Sequence, residues 1–147
     1  MASAQTTSLI RVFVDSSVLF AAALSKRGHA RELLMRGLQG DVELVFSDLV
    51  FEETARNLAE KAPQALPLFA LVREALGRSV VHALKALVLK AARVVAVKDA
   101  PILAAAAEAR ASYLATYDEK HLLRAAHLIE ETFGLTVARP DIVLREL

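Results

Sequence analysis

Short apolar runs alternate with stretches of helical periodicity along this chain of 147 residues. The apolar runs are compact and rich in β-branched side chains, as the buried strands of a parallel sheet are. Ser, Pro and Gly stand at many of their borders, where turns and helix ends are expected. The pattern predicts strands at residues 9–14, 42–46, 93–97, 112–116 and 135–138.

Helical periodicity fills the intervals between these runs. Ser47 is a typical N-cap, Pro101 suits a first helical turn, and Gly134 suits a helix end. Strands that alternate with helices pair in parallel through right-handed crossovers, so the pattern predicts an α/β fold, a three-layer α/β/α sandwich around a mainly parallel sheet. The predicted helices span residues 16–25, 28–37, 47–61, two segments within 64–92, 100–111, 118–133 and a short stretch after Pro140.

Length and composition limit the class of protein. Residues 9–147 are enough for one domain with a sizeable core, and residues 1–8 are predicted to be a disordered arm. Cysteine is absent, which excludes disulfides, thiolate zinc sites and cysteine nucleophiles and agrees with a cytoplasmic location. The most apolar stretch, residues 83–97, is interrupted by Lys85, Lys90 and Arg93, so we expect no membrane span.

The net charge is close to zero, with 18 Lys and Arg against 17 Asp and Glu. A nucleic-acid interface would therefore depend on local charge. One basic cluster follows Asp15 and would place cations beside that residue if it faces the same side, although an ordinary solvated helix face is the favoured explanation. The cluster consists of Lys26, Arg27, His29, Arg31 and Arg36.

Four acidic residues fall where a predicted strand ends or a predicted helix begins. Asp15 and Asp118 follow strands, Asp99 follows the 93–97 strand, and Glu53 lies in the second turn of the helix after the 42–46 strand. Parallel sheets bind ligands outside the carboxyl ends of their strands. If that edge gathers these carboxylates, they form an all-oxygen pocket that a hard divalent cation, Mg²⁺ or Mn²⁺, would neutralise.

Each acid also has an explanation that needs no site. Asp15, Asp99 and Asp118 stand where a helix N-cap would, and Glu53 neighbours Glu52, so either glutamate could face inward. Four carboxylates gathered at one sheet edge would repel each other unless a cation lay among them. Convergence therefore favours a site, and we expect Glu53 to be the glutamate that faces it.

The segments around these acids resemble the motifs of PIN-domain ribonucleases, in that family's order and over nearly the whole chain. Residues 12–19, VFVDSSVL, resemble the family's opening-strand motif, and residues 46–58, FSDLVFEETARNL, resemble its second motif. Residues 99–106, DAPILAAA, resemble the third motif, and residues 113–123, YLATYDEKHLL, resemble the fourth. The tail LTVARPDIVL at residues 135–144 is similar to the closing strand and helix of the bacterial toxin-like branch.

The resemblance implies a metal-dependent endoribonuclease that cuts single-stranded RNA and leaves a 5′-phosphate and a 3′-hydroxyl. Asp15 would be the central or bridging ligand, Asp99 and Asp118 direct or water-mediated ligands, and Glu53 a ligand or a positioner of the attacking water. The same family branch often pairs with a small antitoxin protein, so an antitoxin partner is expected. PIN domains often form homodimers, and the Ala- and Leu-rich helices within residues 64–92 would offer an apolar patch for one, although an intramolecular core explains these helices equally well.

The chain departs from the family's pattern at two positions. Tyr117 stands where many members have glycine, and His121 stands where many carry another acid. The ring of Tyr117 would narrow the cleft or stack on a base. The Thr116 hydroxyl would orient the Asp118 carboxylate or a water, unless Thr116 is a plain strand-end residue. We expect substrate-positioning roles for Ser16, Thr116, Tyr117, Lys26 and Arg27.

Other functions fit parts of the sequence. A phosphatase of the haloacid dehalogenase type also begins with an Asp after its first strand, but it needs a second Asp where this chain has Ser17. Ser47 has no nearby histidine to activate it, and the histidines lack a zinc-binding spacing. A PIN-like module that binds RNA or a protein partner without efficient metal binding is the remaining alternative, since Tyr117 and His121 depart from the family's pattern.

Overall fold

A computed structural model describes residues 9–147 of the chain. Its sheet contains β1 (Arg11–Val14), β2 (Glu43–Val45), β3 (Tyr113–Ala115) and β4 (Thr136–Ala138), in the order β2-β1-β3-β4. Every neighbouring pair is parallel. The predicted α/β fold is confirmed, whereas the predicted arm at residues 1–8 lies outside the described part of the chain.

Helices connect and flank these strands. Short non-α turns accompany them at Pro63–Ala65, which is 3-10, and at Glu119–Leu123, which is π-helical. No helix within residues 9–147 has the length and apolar character needed to cross a membrane. The α-helices are α1 (Ser16–Leu24), α2 (His29–Leu38), α3 (Asp48–Lys61), α4 (Leu66–Leu76), α5 (Lys85–Ala91), α6 (Ala100–Glu108), α7 (Ala126–Phe133) and α8 (Pro140–Arg145).

The prediction of a strand at residues 93–97 is wrong. This segment is a series of turns that prolongs the end of α5, because the backbone N–H groups of Val94 and Val95 both donate to the carbonyl of Ala91. Val97 is 79% exposed, so its side chain does not pack in the core as that of a buried strand would. A run of valines raised the strand propensity, but helix-end hydrogen bonds determined the backbone.

Two other predicted segments are divided differently. The helix expected at residues 118–133 begins as the π-helical turn and becomes α-helical only in α7, which ends at Gly134 in the left-handed conformation with φ 66°. Within residues 64–92, α4 and α5 are separated by an extended stretch in which Val80 forms a parallel bridge with Phe46. This bridge prolongs the edge of the sheet beyond β2.

The core lies around the two central strands, β1 and β3. Val12, Phe13 and Val14 are fully buried, and Phe13 is in register with Val45 on one side and Leu114 on the other. Most of the alanine-rich helix α6 is buried as well. Because strands covered on both faces read as continuous apolar runs, the sequence of β1 follows from its central position.

The connections reverse direction at the middle of the sheet. The chain passes from β1 to β2 through α1 and α2, and then crosses back past β1 to β3 and on to β4. Right-handed crossovers in opposite directions lie on opposite faces of a sheet. The carboxyl ends of β1 and β3 therefore form a topological switch point, the place where open α/β sheets bind ligands.

Candidate metal centre and active site

An open cleft with a volume of about 320 Å³ lies at this switch point. It brings together the starts of α1 and α6, one face of α3 and the segment after β3. All four predicted acids contribute to its wall. The lining residues are Asp15, Ser16, Ser17, Phe20, Glu53, Asn57, Lys61, Lys98, Asp99, Ile102 and Asp118.

Asp15 is the most deeply placed of these acids, with 6% of its surface exposed. It occupies the N-cap position of α1, but its side chain makes no capping hydrogen bond. Its Oδ2 atom instead accepts hydrogen bonds of 2.8 Å from the hydroxyls of Ser17 and Thr116. The capping explanation therefore fails for Asp15, and its carboxylate is fixed in the floor of the cleft with Oδ1 left over for a ligand.

Thr116 and Ser17 tie the end of β3 to the start of α1. The Thr116 hydroxyl accepts a hydrogen bond of 3.0 Å from the backbone N–H of Asp118, and Ser17 Oγ accepts one of 3.0 Å from the backbone N–H of Tyr117. The two hydroxyl oxygens are 3.3 Å apart. Two small polar side chains thus set the distance between the elements that carry Asp15 and Asp118.

Glu53 reaches the cleft from α3. Its Oε2 atom accepts a hydrogen bond of 2.9 Å from the hydroxyl of Ser16. Glu52 is exposed to solvent and does not line the cleft. Since adjacent helical residues point about 100° apart, only one of the two glutamates can face this wall.

Asp99 reaches the cleft from the start of α6 without a preceding strand. Its Oδ2 atom is buried and has no hydrogen-bond partner among residues 9–147. Burial raises the pKa of Asp99, with Lys98 opposing the shift and the charge of Asp118 adding to it. A buried carboxylate oxygen without a donor is costly, and it is the kind of atom that a bound cation satisfies.

Asp118 lies opposite Asp99 and caps the π-helical turn. Its Oδ1 atom accepts a hydrogen bond of 3.1 Å from the backbone N–H of His121, and Nδ1 of the same histidine lies 3.1 Å from that oxygen. Asp99, Asp118 and His121 each offer a ligand atom within 4.8 Å of the others, so they form a group that can hold a metal ion. The donor set and the unpartnered Asp99 oxygen fit a divalent cation.

Sequence reasoning missed Ser17, whose hydroxyl binds Asp15, and three further polar residues of the cleft. Asn57 and Lys61 follow Glu53 at intervals of four residues on α3, and Lys98 directly precedes Asp99. Helical residues four apart share a face, so the position of Glu53 contained the signal for Asn57 and Lys61. The Nζ of Lys61 lies 5.7 Å from the ring centroid of Phe20. These lysines place positive charge beside the carboxylates.

The structure places three of the expected substrate-positioning residues outside the cleft wall. Lys26 and Arg27 are exposed in the loop between α1 and α2, and neither lines the cleft. The ring of Tyr117 has the Arg139 guanidinium 5.6 Å from its centroid, and burial raises the pKa of its hydroxyl. Of that group, Ser16 lies in the cleft wall and Thr116 contacts Asp15 directly beneath it.

The fold and the site together define an α/β protein with an acidic centre suited to a divalent cation. The family model described as PIN domain matches residues 12–128, a span that contains all four acids. The chain therefore belongs to the PIN domain family, whose members are generally nucleases. A comparison with curated proteins gives no significant match.

Proposed function

We propose that this protein is a divalent-metal-dependent endoribonuclease that hydrolyses single-stranded RNA. The observation that carries the proposal is the convergence of Asp15, Asp99 and Asp118 on one cleft, with a buried Asp99 oxygen that lacks a donor. Carboxylates so close together would be repulsive without a counter-charge. Membership of the PIN domain family supports nuclease chemistry at this site.

The three aspartates, with Glu53 beside them, are the residues that would hold the cation, Mg²⁺ or Mn²⁺. When bound, such an ion supplies a Lewis acid that lowers the pKa of water and offsets the charge of the phosphate. Ser17 and Thr116 keep the Asp15 carboxylate in one orientation through their hydrogen bonds. A preorganised carboxylate avoids rearrangement when the substrate arrives.

Glu53 is the proposed positioner of the attacking water. Its carboxylate reaches the cleft and is oriented by the Ser16 hydroxyl. It would accept a hydrogen bond from the water, whose oxygen attacks phosphorus while the bond from phosphorus to the 3′ oxygen breaks. The products are then a 5′-phosphate and a 3′-hydroxyl.

Lys61 and Lys98 are the proposed contacts to the RNA backbone. Both line the cleft beside the acids, whereas Lys26 and Arg27 do not. Phosphate contacts of this kind give affinity without sequence preference. Tyr117, held near Arg139, and the exposed Lys26 and Arg27 remain predicted substrate contacts outside the cleft wall.

A toxin role with a small antitoxin partner, in the cytoplasm, completes the proposal. The similarity of residues 135–144 to the toxin-like branch supports it. An apolar hollow between α1, α2 and α4 also supports a protein partner, because Met35, Leu38 and Leu68 are each more than 40% exposed around it. A homodimer through this face is the alternative assembly.

A binding module without efficient catalysis is the second candidate function. It is favoured by one contact, in which Nδ1 of His121 lies 3.1 and 3.3 Å from the two Asp118 oxygens. A hydrogen bond donated by Nδ1 of the imidazole would satisfy the carboxylate in place of a metal cation. RNA binding would then persist without metal-dependent cleavage.

The test is cleavage of a mixed single-stranded RNA pool with and without Mn²⁺, using the parent and Asp15→Asn. Asn is nearly isosteric and keeps an oxygen that accepts from Ser17 and Thr116, so the fold should survive. Loss of the charge should reduce the rate by at least about 10²-fold. Equal Mn²⁺-dependent cleavage by a folded Asp15→Asn protein would refute the site, and RNA binding without cleavage by the parent would favour the binding module.

A further inference from the structure

His121 does not line the cleft itself but lies against Asp118 at its edge, and it is the one imidazole beside the cleft's carboxylates within residues 9–147. It stands three residues after Asp118, in the π-helical turn, and its side chain is 38% exposed. Its ring, Asp118 and Asp99 offer ligand atoms that all lie within 4.8 Å of one another. One donor of this group is therefore an imidazole nitrogen, while the other two are carboxylate oxygens.

The contact between His121 and Asp118 has a simpler explanation, which is that the ring only orients the carboxylate. The backbone N–H of His121 already performs that task, because it donates to Asp118 Oδ1 at 3.1 Å. Any residue at position 121 other than proline supplies the same N–H. The Nε2 atom of the ring makes no hydrogen bond within residues 9–147, so the ring has ligand capacity beyond the capping contact.

Nitrogen and oxygen ligands select different cations. Carboxylate and water oxygens suit Mg²⁺, which is hard and dehydrates reluctantly. Imidazole suits first-row transition metals, whose affinity rises from Mn²⁺ through Co²⁺. One nitrogen among several oxygens therefore shifts the preference of the centre away from Mg²⁺.

We propose that His121 is a metal ligand and that it makes this centre selective for transition-metal dications such as Mn²⁺ and Co²⁺ over Mg²⁺. The inference rests on the proposed function, since it concerns the same metal centre. One carboxylate oxygen of Asp99 and one of Asp118 complete the group, and Asp99 also carries the buried Oδ2 atom that has no donor within residues 9–147. In this respect the centre differs from an all-carboxylate pocket.

The experiment is calorimetric titration of the metal-free full chain with Mn²⁺, Co²⁺ and Mg²⁺. Three proteins are compared with the parent: His121→Asp, which restores an oxygen donor, His121→Asn, which keeps the backbone cap and a short polar side chain, and Asp118→Asn. The parent should bind Mn²⁺ and Co²⁺ at least about tenfold more tightly than Mg²⁺. His121→Asn should lose about 10- to 100-fold in Co²⁺ affinity and little in Mg²⁺ affinity.

His121→Asp should narrow the ratio of Co²⁺ to Mg²⁺ affinity by at least about tenfold. Pulsed electron paramagnetic resonance of bound Mn²⁺ gives a direct check, because a nitrogen coupling should be present in the parent and absent from both His121 variants. Equal ratios of Co²⁺ to Mg²⁺ affinity in the parent and both His121 variants, or no nitrogen coupling in the parent, would overturn the role of His121 alone. No binding of any of the three cations by the parent, or unchanged binding by Asp118→Asn, would overturn the metal centre itself.

Discussion

The hydroxyl of Thr116 donates a hydrogen bond of 2.8 Å to Oδ2 of Asp15, joining two residues that are 101 positions apart in the chain. Both residues are buried, and the same hydroxyl accepts from the backbone N–H of Asp118. Thr116 therefore connects the segments that carry two of the proposed ligands. Thr116 reaches Asp15 because β1 and β3 are neighbours in the sheet and both residues follow the ends of these strands.

Thr116→Val should lower the free energy of unfolding by about 1–3 kcal/mol, because it leaves the part-buried N–H of Asp118 without its acceptor and removes one of the two donors to the buried Asp15 Oδ2. Urea denaturation monitored by circular dichroism measures the change. Thr116→Ser keeps the hydroxyl and should recover most of the loss. If Thr116→Val were as stable as the parent, the hydrogen bond would carry no net stabilisation.

Asp99→Asn should stabilise the metal-free protein near neutral pH. Burial raises the pKa of Asp99 in the native state, so the native protein binds this proton more tightly than the unfolded chain does. The stability contributed by such a group is lost as pH rises from the ordinary carboxyl pKa of about 4 through the raised native pKa. Asn carries no charge and removes that loss.

Thermal melts in EDTA between pH 4 and 8 measure this effect. Asp99→Asn should melt above the parent at pH 7, and the difference should shrink as pH falls towards the ordinary carboxyl pKa of about 4. A variant that melts below the parent at pH 7 would contradict the prediction. In millimolar Mn²⁺ the parent should gain more than the variant, because a cation bound only to the native state adds stability.

Glu53→Gln should slow Mn²⁺-dependent RNA cleavage by about 10²-fold or more, the usual scale for a lost proton acceptor. Gln retains an oxygen for the Ser16 hydroxyl, so folding should not change. Glu52→Gln is the matched control, since that side chain is exposed away from the cleft. Single-turnover rates give the comparison, and a larger loss in Glu52→Gln would reverse the assignment.

Lys61→Met should weaken RNA binding and reduce its salt dependence. A lysine that neutralises one phosphate contributes about one unit to the slope of log affinity against log salt concentration. Fluorescence anisotropy at several salt concentrations, in the cleavage-deficient Asp15→Asn protein, measures that slope. Lys26→Met is the control outside the cleft, and a larger change in that variant would place the RNA on the loop between α1 and α2 instead.

The strand-end rule located two of the four acids for the right physical reason. Asp15 and Asp118 follow β1 and β3, which are short apolar runs at the centre of the sheet. Asp99 reaches the cleft although the strand expected before it is absent, because the start of α6 lies at the same edge. The valines of residues 93–97 favour a strand locally. Whether the sheet has a place for that strand depends on the other strands, which a local pattern does not show.

The lysines of the cleft show a second limit of local patterns. The density of basic residues predicted that Lys26 and Arg27 contact the substrate. Density along the chain does not determine which surface a loop faces. Lys61 is not part of a basic cluster in the sequence, but it lies on the same face of α3 as Glu53. The helical phase of α3 predicts that Lys61 lies on the same face as Glu53. The location of Lys98 beside the cleft can be predicted only from the fold.

The pairing of β1 with β3 has a consequence for the synthesis of the proposed ribonuclease. Asp15 emerges from the ribosome early, but the threonine and the aspartate that complete its surroundings follow about a hundred residues later. A parallel pair with so long a connection forms late, because distant segments must first meet. Until residues 116–118 have left the ribosome, the nascent chain therefore lacks the proposed centre and could not cut RNA with it.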